Sequence, residues 1–226
     1  QQKEICKIVS KTNKNPISAL KIIIKNPTTW FLFVCAFGFA GTTMAFSGSW
    51  SIYYLMQVYH LGRSEAANYM LIVVIGSAFG FPIIGYISDK ISLRKTPFII
   101  LFMFYTLLWA MLLLWNGGKP PIQALLPIFF LLGFASGAFV IIPALANEVN
   151  DSSYAGTAIS VVNIAPFAGM SVIQPLMGYV LDLRWDGMLD VMGAKVYPIE
   201  SYRLMFGLFV LILILCFIAA IKLKET

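Results

Sequence analysis

Long stretches without a charged side chain leave this sequence few ways to fold. Residues 66–87 and 96–115 contain no Asp, Glu, Lys or Arg, and only a short charged link separates them. A helix needs about 20 apolar residues to cross the hydrocarbon core of a bilayer. Both stretches are therefore predicted to cross a membrane as helices joined by a tight turn at its surface.

Four further stretches of this kind complete a predicted bundle. Only 12% of the residues are charged, against about 25% in soluble domains. Because lipid cannot satisfy free backbone groups and the stretches do not alternate between polar and apolar residues, helices are favoured over barrel strands. The predicted fold class is an all-α membrane protein with six transmembrane helices. The predicted spans are residues 29–56, 66–87, 96–115, 122–146, 156–181 and 202–221.

The basic residues indicate the orientation of the bundle. The segment before the first span, the link near residue 90 and the tail hold 11 of the 16 Lys and Arg residues. Positive loops stay in the cytoplasm, so both termini are expected there. The content of Lys, Asn and Ile suggests a bacterial source, from which a cell (inner) membrane is expected. This distribution among short loops also argues against a nucleic-acid partner, because no basic surface interleaved with aromatic residues is present.

The spans divide the chain into three predicted regions. Residues 1–28 form a basic cytoplasmic linker, residues 29–221 the transmembrane bundle, and residues 222–226 a cytoplasmic tail. Ile17, Leu20 and Ile24 fall at helical spacing and predict a short amphipathic helix lying on anionic lipid. A solvated linker is the alternative for residues 1–15. The long loop predicted to be external contains Gly193, a turn residue that favours a small hairpin there.

The charged link resembles the signature loop of the major facilitator superfamily, which joins the second and third helices of each six-helix half. The matching residues are Gly85, Asp89, Lys90, Arg94 and Lys95. Ser92 and Leu93 depart from the family pattern, which has a second Gly and another basic residue there. The resemblance extends to Glu148, Asn150, residues 156–158, Asn163, and residues 174–178, so it covers nearly the whole chain.

The resemblance implies that the chain is the C-terminal half of a twelve-helix secondary transporter. Its partners would be the lipid bilayer, the N-terminal six-helix half and a small-molecule substrate, with a proton or Na⁺ as the coupling ion of a symporter. Transport would proceed by alternating access about a site near the bilayer midplane. An amino acid or peptide, an organic anion and a sugar all remain open as substrates. A homodimer that imitates the missing half is a further expectation.

A cytoplasmic charge network is the first predicted functional site. Glu148 follows the fourth span on the side that carries Arg94, and the pair is expected to latch the cytoplasmic face in one state. The family assigns Asp89 to a separate contact, with the N-terminus of a helix in the opposite half. The alternative interpretation treats both carboxylates as incidental surface acids.

A second predicted site would bind the substrate. The first span carries a polar and aromatic patch that is predicted to share one helical face, made of Trp50, Tyr53, Tyr54 and Gln57. An interfacial aromatic belt explains this patch equally well. Asn163 and Gln174 are amides in an apolar run, and must face substrate, water or a neighbouring helix.

The spans contain two further patterns. Gly76 with Gly80, and Gly133 with Gly137, predict close helix approach. Kinks are expected at four prolines, namely Pro82, Pro143, Pro166 and Pro175.

Other chemistries find little support in the sequence. No Asp, Glu, Lys, Arg or His lies deep in a predicted span, so a titrating residue is expected in the other half. Cys6, Cys35 and Cys216 lack metal-ligand spacing and predict reduced thiols, with neither metal nor cofactor. An enzyme is not expected. A non-transporting sensor or scaffold built on the same bundle is the alternative function.

Overall fold

The structure, a computed structural model, describes residues 16–91 and 94–223, and within these ranges it is almost entirely helical. Ser92, Leu93, Cys6, most of the predicted linker and the end of the tail lie outside the described residues. The α-helices are α1 (Pro16–Lys25), α2 (Pro27–Ala45), α3 (Ser51–Tyr59), α4 (Arg63–Ile91), α5 (Lys95–Leu114), α6 (Ile122–Ser136), α7 (Ile141–Glu148), α8 (Ala155–Asp182) and α9 (Ile199–Ile221). Shorter turns are a π-helix at Phe46–Trp50 and 3-10 helices at Trp115–Gly117, Gly137–Val140 and Ser152–Tyr154.

These elements join into six helical segments that are long and apolar enough to cross a membrane, which confirms the predicted all-α fold. They extend beyond the predicted limits, because a helix can continue past the last apolar residue into the headgroup region. The first to sixth spans, named so below, are Pro27–Tyr59, Arg63–Ile91, Lys95–Gly117, Ile122–Glu148, Ser152–Asp182 and Ile199–Ile221.

The second and fourth spans pack against each other through the predicted glycine pairs. A β-carbon on Gly137 would stand 2.6 Å from the carbonyl carbon of Gly80, and one on Gly80 would stand 2.8 Å from the Cα atom of Phe134. Gly76 and Gly133 meet backbone atoms of the facing helix in the same way. The close approach predicted from these four glycines is confirmed, and it brings their backbones nearly into contact.

The first and fifth spans form a second close seam that the sequence analysis did not identify. A β-carbon on Gly41 would lie 2.8 Å from the Cα atom of Gly169. Gly38 similarly faces Cys216 of the sixth span. Because Gly41 faces the fifth span and Gly38 faces the sixth, the first span packs between the two. Cys216 and Cys35 are buried, free thiols.

Aromatic side chains fill the space between the first, third and sixth spans. The ring of Phe46 meets Trp109 edge-on with centroids 5.0 Å apart, and Trp109 lies 4.8 Å from Phe209. All three side chains are at most 2% exposed. This cluster joins the third and sixth spans to the first, and leaves the first, second, fourth and fifth to surround the cavity described below.

Irregular helical turns mark the middle of two spans. The π-helix Phe46–Trp50 interrupts the first span, and the 3-10 helix Gly137–Val140 interrupts the fourth just before Pro143. Proline lacks the N–H that an α-helix needs at this point. Pro82 lies inside α4, and Pro166 and Pro175 inside α8, as expected.

The helix α1 lies where the amphipathic helix was expected, but it packs through other residues. Ala19 and Ile23 are buried, at 5% and 0% exposure. Ile17, Leu20 and Ile24 are exposed, on the part of the helix that would meet lipid. Membrane binding by this surface stays a prediction.

The loop between the fifth and sixth spans, which is predicted to be external, forms a compact turn. Leu189 and Lys195 make a single antiparallel bridge, and Gly193 takes a positive φ of 79° between them. Asp190 closes the turn by accepting hydrogen bonds from the backbone N–H groups of Met192 and Ala194, each at 2.8 Å. The hairpin suggested by the sequence is therefore reduced to one bridge.

Candidate functional site

A cavity of about 500 Å³ lies at mid-length of the bundle. The first, second, fourth and fifth spans contribute its wall. Most of the lining is aromatic or aliphatic, including the rings of Phe39, Phe81, Phe139 and Phe167. The cavity is within the usual size range for a small-molecule site.

Four polar side chains interrupt this apolar lining. Thr43, Ser77 and Ser136 bring hydroxyl groups from three different spans, and Asn163 brings an amide from the fifth. Ser77 Oγ lies 3.2 Å from Ser136 Oγ across the glycine seam. Asn163 is exposed at the depth where an unpaired amide facing lipid would be costly. The arrangement can hydrogen-bond a polar solute.

The tyrosine Tyr105 supports one of these hydroxyls from behind the cavity wall. It belongs to the third span and is fully buried. Its hydroxyl oxygen lies 2.5 Å from Thr43 Oγ1, which also donates to the carbonyl oxygen of Phe39 at 3.0 Å. Thr43 is thus held by two partners while it lines the cavity.

Of the six residues predicted to bind substrate, Asn163 lines this cavity. Trp50 and Gln174 lie further toward the end that is predicted to be external, where Trp50 Nε1 donates to the Gln174 carbonyl oxygen at 3.2 Å. The Gln174 amide in turn donates to Ser49 Oγ at 2.7 Å. These bonds tie the first span to the fifth, which was the alternative interpretation for Gln174.

The two tyrosines of the predicted aromatic patch differ in burial. Tyr53 is 46% exposed, whereas Tyr54 is fully buried against Tyr202 and Phe206. Consecutive residues of an α-helix point about 100° apart, so Tyr53 lies at the exposed edge of the patch and Tyr54 at its buried edge. The Tyr54 hydroxyl donates to the carbonyl oxygen of Gly118 at 2.7 Å, and the side chain packs in the bundle instead of lining the cavity.

The side chain of Gln57 hydrogen-bonds the loop between the fifth and sixth spans to the first span. Its Nε2 donates to the carbonyl oxygen of Lys195 at 3.0 Å, and its Oε1 accepts from the Tyr197 backbone N–H at 2.9 Å and from the Tyr202 hydroxyl at 2.7 Å. Tyr197 also donates its hydroxyl to Asp182. Burial, together with this bond to the carboxylate, raises the pKa of Tyr197 to about 12.

The predicted partners Arg94 and Glu148 are in contact at the end of the bundle that is predicted to face the cytoplasm, where the Arg94 Nε atom meets Oε1 of Glu148. Arg94 also reaches Asp89, with 3.2 Å between Nη2 and Oδ1. The side chains of Arg94 and Glu148 are 27% and 31% exposed, and that of Asp89 is 69% exposed. One guanidinium thus bridges two carboxylates at a partly desolvated position.

Other residues of the signature loop lie beside this bridge. Lys90 places its ammonium 5.9 Å from the ring centroid of Tyr86, and Lys95 begins α5. Gly85 borders a second cavity, of about 320 Å³, together with Asp89 and Arg94. A β-carbon on Gly85 would make only ordinary contact, at 3.5 Å, with Val140, so packing among the described residues does not require glycine there.

Sequence reasoning missed a polar cluster next to this network. The Nδ2 atom of Asn26 donates to the Asn150 side chain at 2.7 Å and to the Val149 carbonyl oxygen at 3.0 Å. Thr29 joins the same cluster through Asn150. Asn26 also caps α2, and Asn followed by Pro is a helix-start signal that identifies the cap but not its distant partner.

Two comparisons relate this geometry to known proteins. The family model described as "Major Facilitator Superfamily" matches residues 3–174. The chain is also similar to a protein described as "Probable hexose phosphate transport protein" of Chlamydia pneumoniae, with 28% identity over 171 residues that cover 73% of this chain. The matched region is 37% of that relative, so the chain spans little more than a third of its length. With six membrane-crossing helices and a family match over most of its length, the chain belongs to the major facilitator superfamily.

Proposed function

We propose that the chain is one half of a secondary active transporter that moves a small polar solute by alternating access. The cavity at mid-length of the bundle carries this proposal. Four spans bring three hydroxyl groups and an amide to one place at membrane depth. Polar groups at this depth are costly unless they face water, a partner helix or a solute.

The relative provides the first solute to test. It is described as a probable hexose phosphate transport protein, so a phosphorylated sugar heads the candidates, followed by unphosphorylated sugars, amino acids or peptides, and other organic anions. The cavity lining in the described residues contains no charged side chain. The group that binds an anionic part of the solute, and the group that titrates with a coupled proton or Na⁺, are therefore proposed to lie in the N-terminal half.

The bridge made by Arg94, Glu148 and Asp89 is proposed to control the cytoplasmic side of the cavity. It joins the ends of the second and fourth spans, which both line the solute cavity further along their length. An ion pair of this exposure is worth about 1 kcal/mol. A difference of that size changes the ratio of two nearly balanced states about fivefold.

The arrangement in the membrane follows from the same proposal. Both chain ends would lie on the cytoplasmic side of a cell membrane, and the exposed face of the first, second, fourth and fifth spans would meet the N-terminal half. A homodimer of this chain would cover that face in the same way, and co-purification with the separately expressed N-terminal half distinguishes the two arrangements.

The test is solute uptake by the intact transporter that contains this chain. Proteoliposomes with the wild-type protein are expected to accumulate labelled glucose 6-phosphate or another solute of the named classes. Asn163→Leu is expected to lower uptake at least tenfold, because it removes the exposed amide from the cavity. Ile164→Leu changes the neighbouring exposed residue of the same helix and is expected to retain uptake. Failure to transport any of the solutes would refute the proposal in favour of a sensor or scaffold.

A further inference from the structure

We propose that this chain's side of the cavity binds hydroxyl groups of an uncharged part of the solute, and that Tyr105 positions Thr43 as the hydrogen-bond acceptor. The inference rests on the proposed function, because it assigns a chemistry to the same cavity. It depends on the hydroxyl hydrogens of the cavity residues, which already donate to acceptors within the protein.

Thr43 has one hydroxyl hydrogen and two nearby oxygen atoms. These are the carbonyl oxygen of Phe39 at 3.0 Å and the hydroxyl oxygen of Tyr105 at 2.5 Å. Among the described residues, Thr43 Oγ1 is the oxygen that lies within hydrogen-bond distance of the fully buried Tyr105 hydroxyl. Donation from Thr43 to Tyr105 would leave the tyrosine hydrogen without this acceptor, which is unfavourable. Tyr105 therefore donates to Thr43, and Thr43 donates to Phe39.

This assignment leaves Thr43 with an acceptor for the cavity and no donor. A hydroxyl oxygen accepts two hydrogen bonds and donates one. The donor is committed to the backbone, one acceptor position is taken by Tyr105, and one acceptor position remains. Tyr105 does not line the cavity, so it acts on the solute only through Thr43.

The hydroxyl hydrogens of the two serines are also used within the protein. Ser136 donates to the carbonyl oxygen of Gly133 at 2.5 Å. Ser77 lies 3.0 Å from the carbonyl oxygen of Val73 and 3.2 Å from Ser136 Oγ. Each serine hydrogen thus has an acceptor inside the protein, and the oxygen of the half-buried Ser77 keeps an acceptor position for a solute.

The remaining wall matches a neutral, hydroxyl-bearing group. Phe81, Phe139 and Phe167 offer aromatic surface on which the C–H face of a sugar ring can pack, and Asn163 supplies both amide donors and an acceptor. A carboxylate or phosphate would place its oxygens against acceptor oxygens. An ammonium would need a counter-charge, and the described lining residues include no carboxylate.

The experiment measures uptake by the intact transporter in proteoliposomes with four labelled probes: glucose 6-phosphate, glucose, alanine and succinate. We expect a hydroxyl-bearing probe to be preferred. Thr43→Val should raise the KM for that probe about fivefold, the equivalent of about one neutral hydrogen bond. Thr43→Ser keeps the hydroxyl and should restore a KM close to that of the wild type.

Tyr105→Phe tests the positioning role. It should raise the KM about threefold with little change in the maximal rate, because Thr43 keeps its oxygen but loses the partner that orients it. In a Thr43→Val background the same change should have no further effect. A purely structural role for the tyrosine hydroxyl would add its effect in both backgrounds.

Two matched variants control for lost hydrogen bonds elsewhere. Thr106→Val removes a hydroxyl that donates to its own helix at 2.9 Å, next to Tyr105 but away from the cavity. Tyr202→Phe removes an equally buried phenol hydroxyl at the external end. Both should leave the KM unchanged.

Preference for alanine or succinate, an unchanged KM in Thr43→Val, or additive effects of Thr43→Val and Tyr105→Phe would overturn the inference while transport itself stands. Absence of uptake of every probe would refute the proposed function.

Discussion

The glycine seam between the second and fourth spans makes a prediction whose sign can be worked out from the structure. A β-carbon on Gly133 would meet the carbonyl group of Val73, 2.8 Å from its carbon atom, and would lie 3.0 Å from the backbone nitrogen of Ser77. Carbon atoms prefer a separation of about 3.5–4.0 Å. Gly133→Ala must therefore push the two helices apart by about 1 Å, since backbone atoms cannot rotate out of the way.

Overpacking of this kind costs about 1–3 kcal/mol, and alanine returns up to about 1 kcal/mol through its higher helix propensity. The net expectation is a loss of roughly 1–2 kcal/mol. For a chain of this size, 1 kcal/mol corresponds to about 2–4 °C in Tm, so Tm should fall by several degrees. Uptake should fall as well, because Ser77 and Ser136 lie on either side of the seam.

The assay is thermal unfolding of the detergent-purified protein, and Gly207→Ala provides the matched control. Gly207 lies within α9, where a β-carbon would find its nearest neighbour, Leu113 Cδ1, at 3.9 Å. The same chemical change should therefore leave the protein equally stable or slightly more stable. The reasoning is refuted if Gly133→Ala unfolds at the same temperature as Gly207→Ala or above it.

Three further predictions concern the polar contacts at the two ends of the bundle. Arg94→Glu should reduce uptake about fivefold or more by placing a third carboxylate beside Asp89 and Glu148, and adding Glu148→Arg should restore part of it; no restoration would contradict the ion-pair proposal. Gln57→Leu removes three hydrogen bonds to the external loop and the sixth span, so limited trypsin digestion should cut the loop at Lys195 faster, while an unchanged digestion rate would count against this role. Asn150→Ala should increase hydrogen exchange at the start of α2, since it breaks the bonds of Asn26 and Thr29 to the Asn150 side chain just after the fourth span; Ser153→Ala removes one side-chain bond from an exposed turn and should not.

The helices and their close contacts could be predicted because each depends on a local pattern. Long apolar runs predict spans regardless of how the spans are arranged. Gly76, Gly80, Gly133 and Gly137 could be paired in advance because their four-residue spacing places each pair on one helical face. The contact between Arg94 and Glu148 was likewise expected from a shared side of the membrane and opposite charge.

The cavity at mid-length of the bundle was harder to predict because its polar groups carry little local signal. Serine and threonine in an apolar helix usually satisfy themselves on the preceding turn, so Thr43 and Ser136 look unremarkable in sequence. Their importance arises where four spans converge. The conspicuous residues instead proved to be structural, since Gln57 holds a loop and Tyr54 packs in the core, and both depend on partners more than fifty residues away in the chain.

The π-helix at Phe46–Trp50 connects the cavity to the loop that Gln57 holds. It lies between the part of the first span that faces the cavity and the part that holds the external loop, and it accommodates an extra residue relative to an α-helical turn. If the same residues wound as an ordinary α-helix, everything beyond them would be rotated by about 100°. Gln57 would then point away from the sixth span while Thr43 stayed in place. This single turn therefore sets the rotational orientation of the half of the first span that carries Gln57 independently of the half that carries Thr43.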